Sequence, residues 1–185
     1  MESRYSITLA EEHHVRLIPA IEQAAAAIFS EDDLPAEVRF LVTDSDTLIE
    51  AQDDDRLWVA LEYEQKVVGF ALARVLDENG HLEEIGVYPE HAGRGIGSRL
   101  LGAVIDWAEA RGLPGVTLIT FRHLPWNAPF YEGKGFAQLD GENISASLRN
   151  LIREEAEAGI EPRNRVALSY AINGGNGSGG ARRPA

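Results

Sequence analysis

Residues 87–112 read VYPEHAGRGIGSRLLGAVIDWAEARG, and this stretch decides the fold. A short apolar segment ends at Val87, Pro89 opens a turn, and Gly93-Arg94-Gly95-Ile96-Gly97 runs directly into a helical pattern. Strand, glycine loop, helix is the order in which a chain turns bare backbone N–H groups toward an anion. The glycines leave little side chain to block a ligand, and they reach backbone angles that residues with a Cβ avoid. Leu100, Leu101, Val104, Ile105 and Ala108 then recur at helical spacing, with Gly112 placed as a stop. The first helical turn carries Ser98 and Arg99, and no acid appears before Asp106. Helix starts usually attract Asp or Glu because the dipole favours negative charge, so this one reads as left open for a ligand's phosphates.

Two familiar glycine loops do not fit. The Gly-Lys-Ser/Thr ending of a P-loop is absent, which argues against nucleoside triphosphate hydrolysis. The spacing also differs from that of a dinucleotide fingerprint. The remaining alternative is a tight strand-to-helix turn that holds nothing.

Outward from the loop, Tyr5 to Leu9 alternates as a first strand, and Leu17 to Phe29 follows a helical period. Glu31-Asp32-Asp33 and Pro35 break the chain; a helix is expected over Ser45 to Ala51, with Gln52 to Asp55 as a charged loop. Leu57 to Leu61 and Lys66 to Leu76 read as a hairpin, with Gly69 marking a bulge or close packing, and His81 to Val87 as the next strand. Val116 to Phe121 should run parallel to that strand, because a helix intervenes. Asn127 to Lys134 predicts a short helix ended by Gly135, Ser145 to Ala158 an amphipathic helix, and Arg165 to Ile172 the strand that closes the sheet. Residues 1–172 thus read as one domain, and the glycine-rich stretch Asn173 to Ala185 as a disordered tail.

With 185 residues, 44% hydrophobic and 25% charged, the chain has the composition of an ordinary globular domain with a sizeable core. No apolar run is long enough to span a bilayer and no signal peptide is visible, so no membrane partner and a cytoplasmic location are expected. The absence of cysteine excludes disulfides, thiolate nucleophiles and thiolate metal sites. A net charge of −13 argues against a nucleic-acid partner and favours cationic ones, unless it serves only solubility. The spacing of His13, His14, His91 and His123 argues for no metal.

A second stretch sharpens the reading. Ala92-Gly93-Arg94-Gly95-Ile96-Gly97 resembles motif A of the GNAT superfamily, the acyl-CoA-dependent N-acetyltransferases, written Gln/Arg-x-x-Gly-x-Gly/Ala. Ala92 departs from it where Gln or Arg is usual, which removes a side-chain contribution and leaves the backbone donors intact. Trp126-Asn127-Ala128-Pro129-Phe130-Tyr131-Glu132-Gly133-Lys134-Gly135-Phe136 resembles the superfamily's second signature, an Asn followed by a Phe-Tyr pair and closed by Gly-Phe. The resemblance covers about residues 56 to 136, and more loosely the chain to 172. It implies an α/β fold with a mixed sheet of six to seven strands, helices on both faces and a central V-shaped splay. The helix around Ser145 to Ala158 departs from the superfamily's more direct joining of the last two strands, and is expected to cap the acceptor cleft or form a homodimer contact.

The implied activity is transfer of an acetyl group from acetyl-CoA, as co-substrate and with no metal, to a primary amine by direct attack. A small or amino-acid-like amine is preferred as acceptor and a peptide amine comes second. The implied cofactor contacts are Gly93, Arg94, Gly95, Ile96, Gly97 and Ser98 for the pyrophosphate, the backbone of Ile85 and Val87 for the pantetheine arm, and Asn127, which is equally placed to cap its own helix. Tyr131 stands at the superfamily's position for the acid that protonates the leaving thiolate, a phenol of reference pKa about 10 against about 8.5 for a thiol. An alkylammonium of pKa about 10.4 must also lose a proton before it attacks. In His81-Leu82-Glu83-Glu84-Ile85-Gly86-Val87, alternation places His81, Glu83, Ile85 and Val87 on one face and Leu82 and Glu84 on the other. His81 and Glu83 fall where several similar acetyltransferases carry a catalytic Glu or a His pair, so the resemblance implies Glu83 as the first candidate base, His81 as its partner or alternative, and Glu84 as the third. Asp53 to Asp55 border the acceptor site by analogy. The rival reading is a non-catalytic CoA-binding sensor, which Tyr131→Phe distinguishes from an enzyme.

Overall fold

A computed structural model describes residues 4–172; the expected tail lies outside the described residues. Seven strands form one mixed sheet: β1 (Tyr5–Leu9), β2 (Leu57–Glu62), β3 (Lys66–Leu76), β4 (Asn79–Val87), β5 (Gly115–Phe121), β6 (Ala137–Gln138) and β7 (Arg165–Ala171). Their order across the sheet is β1-β2-β3-β4-β5-β7-β6. The helices are α1 (Glu12–Val15), α2 (Ile18–Ala26), α3 (Ala36–Arg39), α4 (Ser45–Asp53), α5 (Ile96–Ala110), α6 (Ala128–Glu132) and α7 (Ala146–Glu157).

Alternation in β2 shows how the layers are set. Trp58 and Ala60 join Leu100, Leu101 and Val104 of α5 in one core, while Leu57 and Val59 join Ile18 and Ile21 of α2 and Leu48 of α4 in a second. A strand with both sides buried reads as a continuous apolar run, as Leu57 to Leu61 does. Leu100, at 0% exposure, is the kind of α5 side chain whose removal to Ala costs about 2–5 kcal/mol. That helix ends where expected: Gly112, at φ +69°, donates to Glu109 O at 2.9 Å, and Leu113 N reaches Ala108 O at 3.0 Å. This pair of bonds is a Schellman closure, which satisfies carbonyls that the helix leaves open.

The centre of the sheet is split. β4 runs parallel to β5 but pairs with it only at Gly80, His81 and Leu82, opposite Val116, Thr117 and Leu118. From Glu83 to Val87 the β5-facing edge of β4 has no strand partner, and this opening is the V-shaped splay. Gly69 sits where close approach demands it, since a Cβ there would lie 2.9 Å from Gly86 O, next to a register shift in the β2–β3 pairing.

Three expectations need correction. The Asp53 end of the charged loop belongs to α4, which runs two residues beyond Ala51. β7 does not close the sheet; it lies between β5 and the two-residue β6, too short to carry a periodic signal. Strict alternation along β4 fails as well, because Leu72 pairs with Glu84 and Ala73 with Leu82, leaving Glu83 as an extra residue. A bulge of this kind shifts the facing of everything beyond it. Ile85 and Val87 consequently pack on the α5 side with Leu82, and not with His81.

Candidate active site

The glycine loop delivers α5 as an open helix start. Gly93 and Gly95 take φ of +72° and +76°, and a Cβ on either would meet nothing within 4 Å. The helical ladder begins with Arg99 N donating to Gly95 O at 3.1 Å. The amides of Ile96, Gly97 and Ser98 precede it and have no carbonyl in their own helix. With the positive end of the dipole behind them, they form a cradle whose chemistry suits an anion. The loop, Val87, Asn127 and Tyr131 bound a cavity of about 500 Å³.

The Arg94 side chain turns away from this cavity. Its Nη1 donates to Tyr5 Oη at 3.1 Å and its Nη2 to Glu90 O at 3.3 Å, so only its backbone remains for the cradle. The cation that does line the cavity is Lys134.

Asn127 precedes α6 but makes no side-chain cap bond. Its Nδ2 is buried without a partner, a state that costs roughly 1–3 kcal/mol unless something accepts from it. Tyr131, 6% exposed, is fixed by edge contacts to Phe130 and Phe136 at centroid distances of 5.0 and 5.9 Å. Burial raises its hydroxyl pKa above the usual phenol range, with only the Arg165 charge opposing. Such a phenol stays protonated at every working pH.

Tyr131 and Asn127 also line a second cavity of about 200 Å³ in the splay, together with Glu22, Glu83, Glu84 and Arg165. Its carboxyls differ in their surroundings. The Glu83 side chain is 22% exposed, with Oε1 3.1 Å from Arg74 Nη1; burial raises its pKa and Arg74 opposes the rise. Glu84 is pushed up to about 8, first by burial and then by the charge of and hydrogen bond to Glu22. His81 faces α7 instead of the splay: its Nδ1 lies 2.9 Å from Thr117 Oγ1, and burial lowers its pKa to about 4. Asp53, Asp54 and Asp55 do not line the splay; Asp54 pairs with Arg56 at 3.2 Å.

Residues 19–136 match the profile of the Acetyltransferase (GNAT) family, more than half of the chain. The chain belongs to the GNAT acetyltransferase family. Solved structures agree on the GNAT fold. The ribosomal-protein-S18-alanine N-acetyltransferase from Escherichia coli is 20% identical, with a TM-score of 0.63, 93% of this chain covered and 97% of that one. Rv2747 from Mycobacterium tuberculosis, in complex with CoA, is 21% identical with a TM-score of 0.65, covering 90% and 99%. Naa50 from Arabidopsis thaliana, in complex with the bisubstrate analogue CoA-Ac-MVNAL, is 18% identical with a TM-score of 0.63, covering 92% and 100%. As a GNAT protein the chain is an acyl-CoA-dependent acetyltransferase with acetyl-CoA as co-substrate. Its residues fit that ligand on physical grounds: open amides at α5 for a diphosphate, an unpaired strand edge, and an orphan Asn127 donor for a polar arm. Among the described residues no group of three or more His, Asp or Glu could hold a metal ion. No described helix is long and apolar enough to cross a membrane.

Sequence reasoning missed Glu22, Phe29 and Lys134. Glu22 did carry a signal: it sits beside Ile21 on the apolar stripe of α2, where a charge is out of place. Phe29 reaches the site by packing at 5.3 Å on Phe121, a contact between distant segments that leaves no periodic trace.

Proposed function

We propose that this GNAT protein acetylates the primary amine of a small or amino-acid-like acceptor, with Glu84 as base and Tyr131 as acid. The observation that carries the reading is the position of Tyr131 and Asn127, which border both the cavity behind the glycine loop and the carboxyl-lined cavity in the splay. The amides from Gly93 to Ser98 hold the pyrophosphate of acetyl-CoA, the opened edge of β4 at Ile85 and Val87 aligns its arm, and Asn127 Nδ2 donates to it. Bound there, acetyl-CoA supplies a thioester carbonyl for attack and a thiolate as leaving group.

The other steps belong to the protein. Glu84 accepts a proton from the acceptor ammonium, freeing the nitrogen lone pair. The Tyr131 Oη proton is at hand for the departing sulfur. Glu84 takes precedence over Glu83, the first choice from the sequence, because Arg74 already occupies the Glu83 carboxylate. His81 supports the sheet through Thr117 and plays no part in the proton transfer. A cavity of about 200 Å³ lined by carboxyls suits a small cationic acceptor better than a bulky neutral one.

Thiol release from acetyl-CoA, followed over a panel of small amines, amino acids, polyamines and short peptides, tests the proposal. Release that depends on a small primary amine is expected. A panel without amine-dependent release, or one in which only peptides respond, contradicts it.

A further inference from the structure

Glu22 is a charged residue on the apolar face of α2, flanked by Ile18 and Ile21 at 0% exposure and itself only 3% exposed. Among the described residues neither Glu22 nor Glu84 forms an ion pair; the nearby cations are committed elsewhere, Arg74 to Glu83 at 3.1 Å and Arg165 to Glu155 at 2.6 Å. A buried carboxylate without a cation must be satisfied by hydrogen bonds. Thr43, between α3 and α4, supplies them: its N–H lies 3.1 and 3.3 Å from the two Glu22 oxygens, and its hydroxyl donates to Glu22 Oε1 at 2.6 Å.

The same Thr43 Oγ1 lies 3.3 Å from Glu84 Oε2. A hydroxyl has one proton to give, and at 2.6 Å that proton goes to Glu22. Contact with Glu84 is then attractive only when Glu84 carries a proton of its own, donated to Thr43 or to Glu22. We propose that Glu22, held by Thr43, is a positioning residue for acetyl transfer: it shares one proton with Glu84 and thereby sets the charge state in which Glu84 meets the acceptor amine.

The role rests on Glu84 being the base. Glu22 from α2, Thr43 and Glu83 on its own strand act on Glu84, and Tyr131 from α6 and Arg165 from β7 line the same cavity. Burial and the Glu22 charge both hold the proton on Glu84. Once that proton has gone to solvent, two buried carboxylates confront the ammonium. A proton then leaves the acceptor nitrogen for a Glu84 oxygen, the nitrogen becomes a free amine, and the pair returns to its singly protonated form. A base with affinity near pH 8 stands far closer to an ammonium of about 10.4 than an ordinary glutamate of about 4.3. Proton transfer is correspondingly less uphill.

The test is the titration of the Glu84 side-chain carboxyl by carbon-13 NMR, alongside the pH dependence of kcat/KM, in the wild type and in Glu22→Gln. The wild-type midpoint should lie near 8, and E22Q should lower it by at least one pH unit, moving the acid limb of kcat/KM with it. A Glu84 midpoint in the ordinary carboxylate range, or one that E22Q leaves unmoved, overturns the proposal. A midpoint that moves while the limb stays supports the shared proton and removes Glu84 as the base. Should E22Q fail to fold, Thr43→Val, which removes the oxygen that accepts from protonated Glu84, should lower the midpoint and Thr43→Ser restore it; equal midpoints in the two variants overturn the proposal.

Discussion

Arg74 Nη1 lies 3.1 Å from Glu83 Oε1, and this contact separates two adjacent glutamates into different kinds of group. Glu83 has a cation for partner, whereas Glu84 has another carboxyl. The bulge at Glu83 makes the separation possible by placing both beside the splay instead of on opposite faces. Glu84→Gln should therefore lower kcat/KM by about 10²–10⁴-fold, the usual weight of general acid–base catalysis. Glu83→Gln should cost less than about tenfold. Steady-state kinetics on both variants with one acceptor checks the order; a larger loss in E83Q reverses the assignment.

Tyr131→Phe removes one oxygen from a side chain whose ring is held by Phe130 and Phe136. The fold and CoA binding should persist while kcat falls by about 10²-fold or more. Thermal shift with CoA and thiol-release kinetics read the two effects separately. Unchanged kcat would favour a different acid.

Gly97 lies in regular helix, and a Cβ there meets only Phe130 Cζ, at 3.8 Å. Gly97→Val should leave the apo protein as stable as the wild type, since Val is no worse than Gly in a helix. Its side chain should fill the cradle and abolish the stabilisation of about 2.7 kcal/mol that a ligand confers at ~100 times its Kd. Denaturant unfolding with and without CoA measures both quantities.

His81 has its pKa lowered to about 4 by burial, against about 6.5 when unfolded. Between these values the unfolded chain binds the extra proton. The stabilising contribution is therefore complete above about pH 6.5 and is lost progressively as pH falls toward 4, at up to about 1.4 kcal/mol per pH unit. Glu84, shifted upward, acts in the opposite sense over its own range: its protonated form is favoured by folding, so its contribution declines as pH rises from the ordinary carboxylate range toward about 8. Comparing wild type with His81→Gln isolates the histidine. The stability gap between them should shrink as pH drops from 6.5 to 4, measured by urea unfolding.

Much of this site was readable because its parts are local. Gly93 to Ser98 offer backbone amides and not side chains, and a glycine loop between a strand and a helix announces itself in a few letters. Asn127 and Tyr131 stand in one short signature, and the α5 stripe repeats at helical period. The carboxyls were harder, for a physical reason. Alternation along β4 assumes an unbroken ladder, and the extra residue at Glu83 breaks it through pairing with β3, which the letters of β4 alone do not encode. Glu22 and Thr43 come from segments far away in the chain, joined to Glu84 only by tertiary packing. Arg94 looked like a phosphate ligand because nothing near it in sequence revealed Tyr5 as its partner.

The central claim is that open amides at the start of α5 hold the diphosphate of acetyl-CoA. Amide-resolved nitrogen-15 NMR during titration with CoA tests it most directly. The account predicts the largest shifts at Gly95, Ile96, Gly97 and Ser98, saturating together with those of Ile85 and Val87. Saturable binding that leaves these amides unmoved and perturbs another region would contradict it.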